Sequence, residues 1–242
     1  MTRAAQWALV TGAPRRGGEA ICKELHRRGL GVIVHHSRAG SAPDAARLVD
    51  LLNASRPGSA LAWAADFTAR ELPALPALPQ PDASISVLVC NASLYRPSDL
   101  HDHAVRDADL QVHLLSHATL IERLRGGLRA LVGVTDIHVH VPHRGHLWYH
   151  VSKAALESLI LTLSVELAPA TRCNVVAPGA LPWPADNHLE AERIREVQQT
   201  IPLGRTGSFE ELGQVVTWLA LDASYVNGSV VPLDGGRSRW MR

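Results

Sequence analysis

The sequence predicts a single doubly wound α/β domain, built on a seven-stranded parallel sheet with helices on both faces. The chain has 242 residues, a length that fits one large α/β domain but leaves no room for a second complete domain. Along it, short runs rich in Val, Leu and Ile alternate with longer segments whose apolar residues recur at helical spacing. Strands separated by helices form right-handed crossovers, so the sheet is parallel and covered on both faces.

The predicted elements follow one another in a regular order. Buried strands are predicted at 7–11, 31–36, 60–65, 85–91, 130–135, 173–179 and 228–236. Helices are predicted at 18–29, 42–58, 99–124, 149–169 and 208–224. The segment 71–82 contains four prolines, which forbid a full crossover helix and predict a short turn with an extended link.

Composition narrows the classes of function. The net charge is +1 with a pI near 7.9, and no basic run is longer than two residues, which argues against nucleic-acid binding. The three cysteines are far apart and form no C-x-x-C pair, so neither a disulfide framework nor a thiolate zinc site is expected. We find no run long enough for a signal peptide or a membrane span, and we expect a soluble cytoplasmic protein.

The first predicted strand runs into the glycine-containing turn "TGAPRRGGEAI" at 11–21. Such a turn, followed by a helix, presents backbone N–H groups and the positive end of the helix dipole to a pyrophosphate. Gly12 would allow close backbone approach, and Gly18 would allow the helix to pack closely on the strand. The alternative is a turn without a ligand.

The second predicted strand ends in "HHSRAG", which has no acid to bind a ribose 2′-hydroxyl. Ser37 and Arg38 stand there instead, and a hydroxyl beside a cation suits a 2′-phosphate. The sequence therefore predicts NADP(H) as cofactor. The alternative is a solvated surface arginine.

Tyr149 and Lys153 are four residues apart at the start of a predicted helix, so their side chains share one face. An adjacent ammonium is expected to favour the phenolate and to lower the pKa of the tyrosine. The pair therefore predicts a proton donor for a carbonyl or imine that receives a hydride.

The surrounding stretch "TDIHVHVPHRGHLWYHVSK" (135–153) holds five of the 13 histidines, and this density raises the question of a metal. His146 and His150 are spaced i, i+4, but the segment between them begins before the predicted helix. A structural zinc site needs four ligands in closed geometry. We therefore expect no metal and interpret these residues as loop and surface histidines beside an active site.

Taken together, the ordered motifs resemble those of the short-chain dehydrogenases/reductases, whose fold is Rossmann-like, and they span nearly the whole chain. The motifs are "TGAPRRGG", "ADF" (65–67), "CNAS" (90–93), "YHVSK" (149–153), "NVVAPG" (174–179) and "PLDGG" (232–236). The match is closer to the pteridine reductases and bacterial dihydromonapterin reductases. Those enzymes carry Arg at the position of Arg16 in the glycine turn and Asp, at the position of Asp136, where the wider family has its catalytic serine.

The resemblance implies a role for each matching residue. Catalysis would fall to Asp136, Tyr149 and Lys153. The cofactor would be held by Gly12, Arg16, Gly18, Ser37, Arg38, Asp66, Asn91, Ala92, Lys153, Pro178 and Gly179. The substrate would contact Arg16, Ser93, Tyr95 and Tyr149, with the Tyr95 ring sandwiching a flat heterocycle against the nicotinamide.

The chain departs from the family pattern at two places. An asparagine usually completes a water relay to the lysine, but Leu114 and Leu115 align there, so Ser116 or His117 substitutes or the relay differs. The substrate lid, at about 180–204, begins with a proline-rich stretch that matches no pattern tied to one substrate.

The sequence thus predicts an NADPH-dependent reductase of a C=N or C=O bond in a pterin-like substrate, with Tyr149 as proton donor. Two alternatives remain open: a reductase of another small carbonyl or imine compound, and a catalytically idle dinucleotide-binding sensor. The apolar helix at 154–168 and the habit of the family predict a homo-oligomer, with a tetramer expected.

Overall fold

The structure, a computed structural model, describes residues 5–37, 39–183 and 191–240. Its centre is a parallel sheet of seven strands in the order β3-β2-β1-β4-β5-β6-β7. The strands are β1 (Gln6–Val10), β2 (Gly31–His36), β3 (Ala60–Ala64), β4 (Ser84–Cys90), β5 (Ala130–Val134), β6 (Arg172–Pro178) and β7 (Val230–Leu233). The predicted fold class is confirmed, because each predicted strand is present and all neighbours pair in parallel.

The helices cover both faces of this sheet. They are α1 (Arg16–Arg27), α2 (Ala42–Ser55), α3 (His103–Leu110), α4 (Ser116–Leu124), α5 (Leu147–Glu166), α6 (Ala191–Gln199), α7 (Phe209–Leu221) and α8 (Arg237–Trp240). Helices α1, α2 and α7 share one hydrophobic core with the sheet, and α4 and α5 share the other. Residues 71–82 form no helix or strand, as their prolines predict.

The helix predicted over 99–124 is interrupted, which the sequence did not indicate. A π-helical turn, Gln111–Leu115, joins α3 to α4. Such a turn inserts an extra residue per turn and so rotates every later side chain relative to the α-helical register. This rotation decides which residue faces the candidate site.

The strand order positions that site. The chain runs outward from β1 to β2 and β3, then returns to β4 on the other side of β1. In sheets of this kind, the crevice for a ligand opens at the carboxyl ends of the strands where the order reverses. Gly12 follows β1 and Asn91 follows β4, so both lie at this crevice.

None of the helices in the described ranges combines the length and the apolar character that a bilayer span requires. The three cysteines are all buried and free, as expected from their spacing.

Candidate active site

Asp136 and Tyr149 form a hydrogen-bonded pair at the carboxyl end of β5. The Tyr149 hydroxyl donates to Asp136 Oδ2 at 2.9 Å, and the Tyr149 side chain lies in the first turn of α5 with 6% of its surface exposed. The other oxygen, Asp136 Oδ1, accepts the backbone N–H of His138 at 2.8 Å. Asp136 therefore caps the turn that follows β5 and also contacts the proposed proton donor.

Lys153 lies one turn further along α5 and is buried, with 2% of its surface exposed. Its ammonium donates to the backbone carbonyl of Val134 at 2.8 Å and stands 6.0 Å from the centroid of the Tyr149 ring. Burial lowers the pKa of Lys153 to about 8, against the opposing attraction of the Asp136 carboxylate. Lys153 therefore carries its positive charge at neutral pH and loses it in mildly alkaline solution.

The pKa of Tyr149 lies well above its ordinary value, so the expectation of a lowered pKa is wrong for this structure. Burial is the main cause, and the charge and hydrogen bond of Asp136 raise the pKa of Tyr149 further. Desolvation and a neighbouring carboxylate both disfavour a phenolate. Tyr149 therefore keeps its proton at neutral pH, the state that a proton donor needs.

The glycine turn is closed by tight backbone contacts. The backbone N–H of Gly12 donates to His35 Nδ1 at 2.9 Å, so this N–H is already bonded and Gly12 acts through its shape. Gly12 has a φ of 61°, and a Cβ built on Gly18 would stand 2.3 Å from the Gly12 carbonyl oxygen. Glycine is required at both positions, as the sequence predicts.

Arg16 has the one positive φ among the described non-glycine residues, 53°. Its guanidinium donates to the Pro182 carbonyl at 2.8 Å and lies over the Phe209 ring, 5.3 Å from the centroid. The side chain therefore connects the glycine turn to the start of the segment predicted as the lid.

A cavity of about 80 Å³ lies at the carboxyl ends of β1, β2, β3 and β4. It is lined by Gly12, His35, Ser37, Asp66, Phe67, Thr68, Ala92, Ser93, Leu94 and Val112. The structure thus brings Ser37, Asp66 and Ala92 together beside the glycine turn. Arg38, the predicted partner of a 2′-phosphate, lies outside the described residues.

The turn after β4 packs against the glycine turn. Asn91 Nδ2 donates to the carbonyls of Thr11 and Gly12, at 2.9 and 3.0 Å. A Cβ on Gly12 would stand 2.7 Å from the Cα of Ala92. Asn91 therefore acts as a support for the glycine turn.

Tyr95 stands at the mouth of the site with 59% of its surface exposed. Its ring stacks on His146, with centroids 4.2 Å apart and an angle of 12° between the planes. It meets the Tyr149 ring edge to face at 4.9 Å. An exposed aromatic beside the proton donor suits a flat substrate.

The turn after β6 lies at the same edge of the sheet as the glycine turn, three strands away. Gly179 follows Pro178 and donates its N–H to the Leu233 carbonyl at 2.9 Å. A Cβ on Gly179 would stand 2.7 Å from Asp234 Cβ, so this turn is held in contact with the turn after β7.

The chain matches the sequence model of a family described as enoyl-(acyl carrier protein) reductase over residues 13–238. It belongs to the short-chain dehydrogenases/reductases. Pteridine reductase 1 of Leishmania tarentolae is 30% identical over 96% of each chain. A 3-oxoacyl-[acyl-carrier-protein] reductase of Synechocystis is 32% identical, also over 96% of each chain.

Among solved structures, the alternative dihydrofolate reductase FolM of Brucella canis, complexed with NADP, is similar. Its TM-score is 0.84 at 28% identity, and the match covers 98% of this chain and 95% of that one. The resemblance to the short-chain dehydrogenases/reductases, with pteridine reductases among the relatives, is therefore confirmed. Members of this family bind a nicotinamide dinucleotide, and Gly12, Ser37 and Asp66 line the cavity at the carboxyl ends of the strands, where such a ligand would lie.

The sequence did not indicate that His113 belongs to the candidate site of this short-chain dehydrogenase/reductase. It is fully buried in the π-helical turn, and its Nε2 accepts the backbone N–H of Leu94 at 2.9 Å. Its Nδ1 therefore carries the proton and donates to Ser152 Oγ at 2.7 Å. Burial lowers the pKa of His113 to about 2, so the ring is a neutral link between Leu94, in the loop after β4, and Ser152 of α5.

Ser116 and His117, the possible substitutes for the asparagine that usually completes the water relay to the lysine, bond elsewhere. Ser116 Oγ donates to the Phe67 carbonyl, and His117 bonds to Thr11 Oγ1 and to the His113 carbonyl. Leu115 is 50% exposed. The π-helical turn shifts the register by one residue. The signal available in the sequence was a histidine, His113, within the mostly apolar stretch 110–115.

Within the described ranges, no group of three or more His, Cys, Asp or Glu side chains has the geometry to hold a metal ion. Four histidines of the 135–153 stretch do lie together, however, and they adjoin Tyr95 and Tyr149.

Proposed function

We propose that this protein is an NADPH-dependent reductase that transfers a hydride to a C=N or C=O bond of a dihydropterin-like substrate. The observation that carries the proposal is the hydrogen bond from the Tyr149 hydroxyl to Asp136. A serine in that place could only exchange a hydrogen bond with a substrate oxygen. A carboxyl group can also carry a proton, which suits the reduction of a ring C=N bond.

When bound, the dinucleotide supplies the hydride, and the protein's own residues supply the proton. Tyr149, held as a phenol by burial and by Asp136, gives its proton to the substrate nitrogen or oxygen. Asp136 is partly exposed, so it can return a proton from solvent to the phenolate. The Lys153 ammonium stabilises the negative charge that develops on Tyr149 during the transfer.

The preference for NADPH rests on Ser37, which lines the cavity beside the glycine turn, and on Arg38. The solved FolM relative is complexed with NADP. We expect the Kd of NADPH to be at least tenfold lower than that of NADH, a difference in binding free energy of roughly 1.4 kcal/mol. The change Arg38→Asp should narrow or reverse this preference for NADPH. Titration of both dinucleotides, followed by fluorescence, tests this expectation; equal dissociation constants would contradict it.

A reductase of another carbonyl compound is the second candidate. The similarity to the 3-oxoacyl-[acyl-carrier-protein] reductase of Synechocystis, at 32% identity, is the observation that favours it. That relative covers as much of the chain as the pteridine reductase does.

The deciding experiment follows the absorbance of NADPH with dihydrobiopterin, dihydromonapterin and a panel of ketones. The proposal expects the two dihydropterins to have the highest kcat/KM, with Tyr149→Phe inactive as the control. Faster turnover of the ketones would favour the second candidate. Tight binding of NADPH without turnover of any compound would favour the dinucleotide-binding sensor.

A further inference from the structure

Four histidines form a continuous group of rings beside the reacting residues. We call His138, His143, His146 and His150 the imidazole cluster. The ring centroids of His143 stand 4.5 Å from His138, 5.0 Å from His146 and 4.6 Å from His150. The cluster lies between the end of β5 and the first turn of α5.

The imidazole cluster is continuous with the candidate active site. His146 stacks on Tyr95 at 4.2 Å, and the His150 ring is 5.7 Å from that of Tyr149. The backbone N–H of His138 donates to Asp136. A substrate held beside Tyr95 and Tyr149 would therefore lie next to these rings.

Not all ring nitrogens of the cluster have a partner. His138 and His143 each use Nδ1 to donate to a backbone carbonyl, at 2.8 and 3.0 Å, and His143 Nε2 also meets the Tyr95 hydroxyl at 3.5 Å. Within the described part of the chain, His146 Nδ1 and His150 Nε2 are buried without a hydrogen-bond partner, and His150 is only 8% exposed. A buried polar atom without a partner is unfavourable, so a ligand that bonds these atoms is favoured.

The hydrogen-bond donors around the cluster suit an anion as that ligand, because the ring N–H groups can donate to it and Arg144 adds an exposed guanidinium to the same loop. The groups that act on His150 are His138, His143, His146 and the Asp136 carboxylate, and this carboxylate opposes an anion. Burial and the neighbouring imidazoles lower the pKa of His146, and they lower the pKa of His150 to about 4. His146 and His150 are thus neutral at pH 7, and each can take up a proton that an anion would attract.

We propose that the imidazole cluster is a subsite for an anionic substituent of the substrate, a phosphate or a carboxylate. The inference rests on the proposed function and specifies its substrate class: flat dihydropterins with an anionic side chain are preferred over those with a neutral one. Binding draws one proton into the cluster, and the resulting imidazolium donates hydrogen bonds to the anion.

The first test compares kcat/KM for three substrates: dihydrobiopterin, which is neutral, a dihydroneopterin monophosphate, and dihydrofolate. The phosphate of dihydroneopterin monophosphate stands on a short side chain, and the carboxylates of dihydrofolate stand on a long one. Comparing these two substrates therefore shows whether the subsite binds a phosphate or a carboxylate. We expect at least one anionic substrate to exceed the neutral one. In His143→Gln the ratio of anionic to neutral kcat/KM should fall about tenfold, whereas in His103→Gln, an exposed histidine of α3, it should not change. An unchanged ratio in His143→Gln would overturn the proposal.

The second test needs no turnover and so remains decisive if no dihydropterin is reduced. The pKa values of the histidines are measured by NMR with NADP⁺ bound, in the presence of neopterin monophosphate, folate, biopterin or inorganic phosphate. We expect an anionic pterin to raise the pKa of the cluster by about one unit or more and biopterin to leave it unchanged. Equal pKa values with all four compounds would overturn the proposal, as would a stronger response to Zn²⁺, which would indicate a metal site.

Discussion

At the scale of single residues, the hydrogen-bonded pair of Asp136 and Tyr149 carries the proposed chemistry. The tyrosine hydroxyl is buried and donates to the carboxylate, and that same carboxylate caps the turn after β5. The two roles predict different consequences of substitution. Loss of the cap lowers stability, whereas loss of the proton relay lowers the rate for each folded molecule.

The change Asp136→Ser separates these roles. We expect kcat for dihydropterins to fall by about 10² to 10⁴, the range typical of lost acid–base assistance, with little change in the Kd of NADPH. Ketones should lose less, because a serine can still donate a hydrogen bond to a substrate oxygen. The measurement is turnover per molecule of folded protein, with the fold checked by circular dichroism.

The comparison with Tyr149→Phe gives the outcome that contradicts this expectation. If Asp136→Ser keeps full turnover of dihydropterins while Tyr149→Phe abolishes it, the carboxyl relay is wrong. A loss of stability with normal activity would leave Asp136 the role of a cap alone.

Lys153 predicts how the rate depends on pH. Its pKa is lowered by burial to about 8, so the ammonium is present below that pH and is lost as the pH rises through it. We expect kcat/KM for the reduction to fall on the alkaline side with an apparent pKa near 8. The profile is measured from pH 6 to 10 with saturating NADPH.

The control for this profile is Lys153→Arg, whose guanidinium keeps its charge over the whole range. If this variant retains activity, its alkaline limb should move to higher pH. A rate for the wild type that stays constant up to pH 10 would show that the Lys153 charge does not limit the reaction.

At the scale of secondary structure, the contact between α1 and α7 supports the glycine turn. Gly213 of α7 faces Ala20 of α1, and a Cβ at Gly213 would stand 2.8 Å from the Ala20 carbonyl oxygen. Since the atom in contact belongs to the backbone of a helix, the helices themselves must separate. Helix α1 begins at Arg16, directly after the turn.

We therefore expect Gly213→Ala to destabilise the protein by about 1–3 kcal/mol, as other overpacked cores do. For a domain of this size each kcal/mol lowers Tm by roughly 2–4 °C. The matched control is Gly126→Ala, because a Cβ there would meet nothing within 4 Å. Thermal unfolding measures both variants, and equal Tm values would mean that the helices adjust without cost.

At the scale of the whole molecule, the outer surface carries apolar groups that a monomer does not need. Leu156 and Ile160 of α5 are buried against the sheet, whereas Val151 and Val165 are 45% and 78% exposed. Leu115 is also half exposed. Since this helix is already packed on one side, we propose that its exposed apolar groups form an interface with another subunit.

We expect a homotetramer, with a mass of about 105 kDa for four chains of 26.2 kDa each. Light scattering at micromolar concentration measures it. The change Val165→Asp should lower the mass, since it places a charge in the interface, whereas Val165→Ala should not. A mass near 26 kDa for the wild type would contradict the expected oligomer.

The sequence by itself determined the strands, their parallel arrangement and the choice of the residues proposed to react. Buried parallel strands need continuous apolar runs, and a glycine turn needs Gly12 and Gly18, so these features depend on local chemistry that a sequence displays directly. The spacing of Tyr149 and Lys153 likewise places both on one face of a helix.

Only the tertiary structure decided the surroundings of these residues. Helical periodicity does not reveal the residue that the π-helical turn inserts. The sequence therefore did not show that His113, and not the leucines expected at the relay position, bonds to Leu94 and Ser152. The pKa of Tyr149 is raised, against the expectation from its neighbour in sequence, because burial and Asp136 act through space. Four histidines at irregular spacing form one cluster, because the fold of the loop after β5 sets the distances between their rings. No local pattern in the sequence encodes that fold.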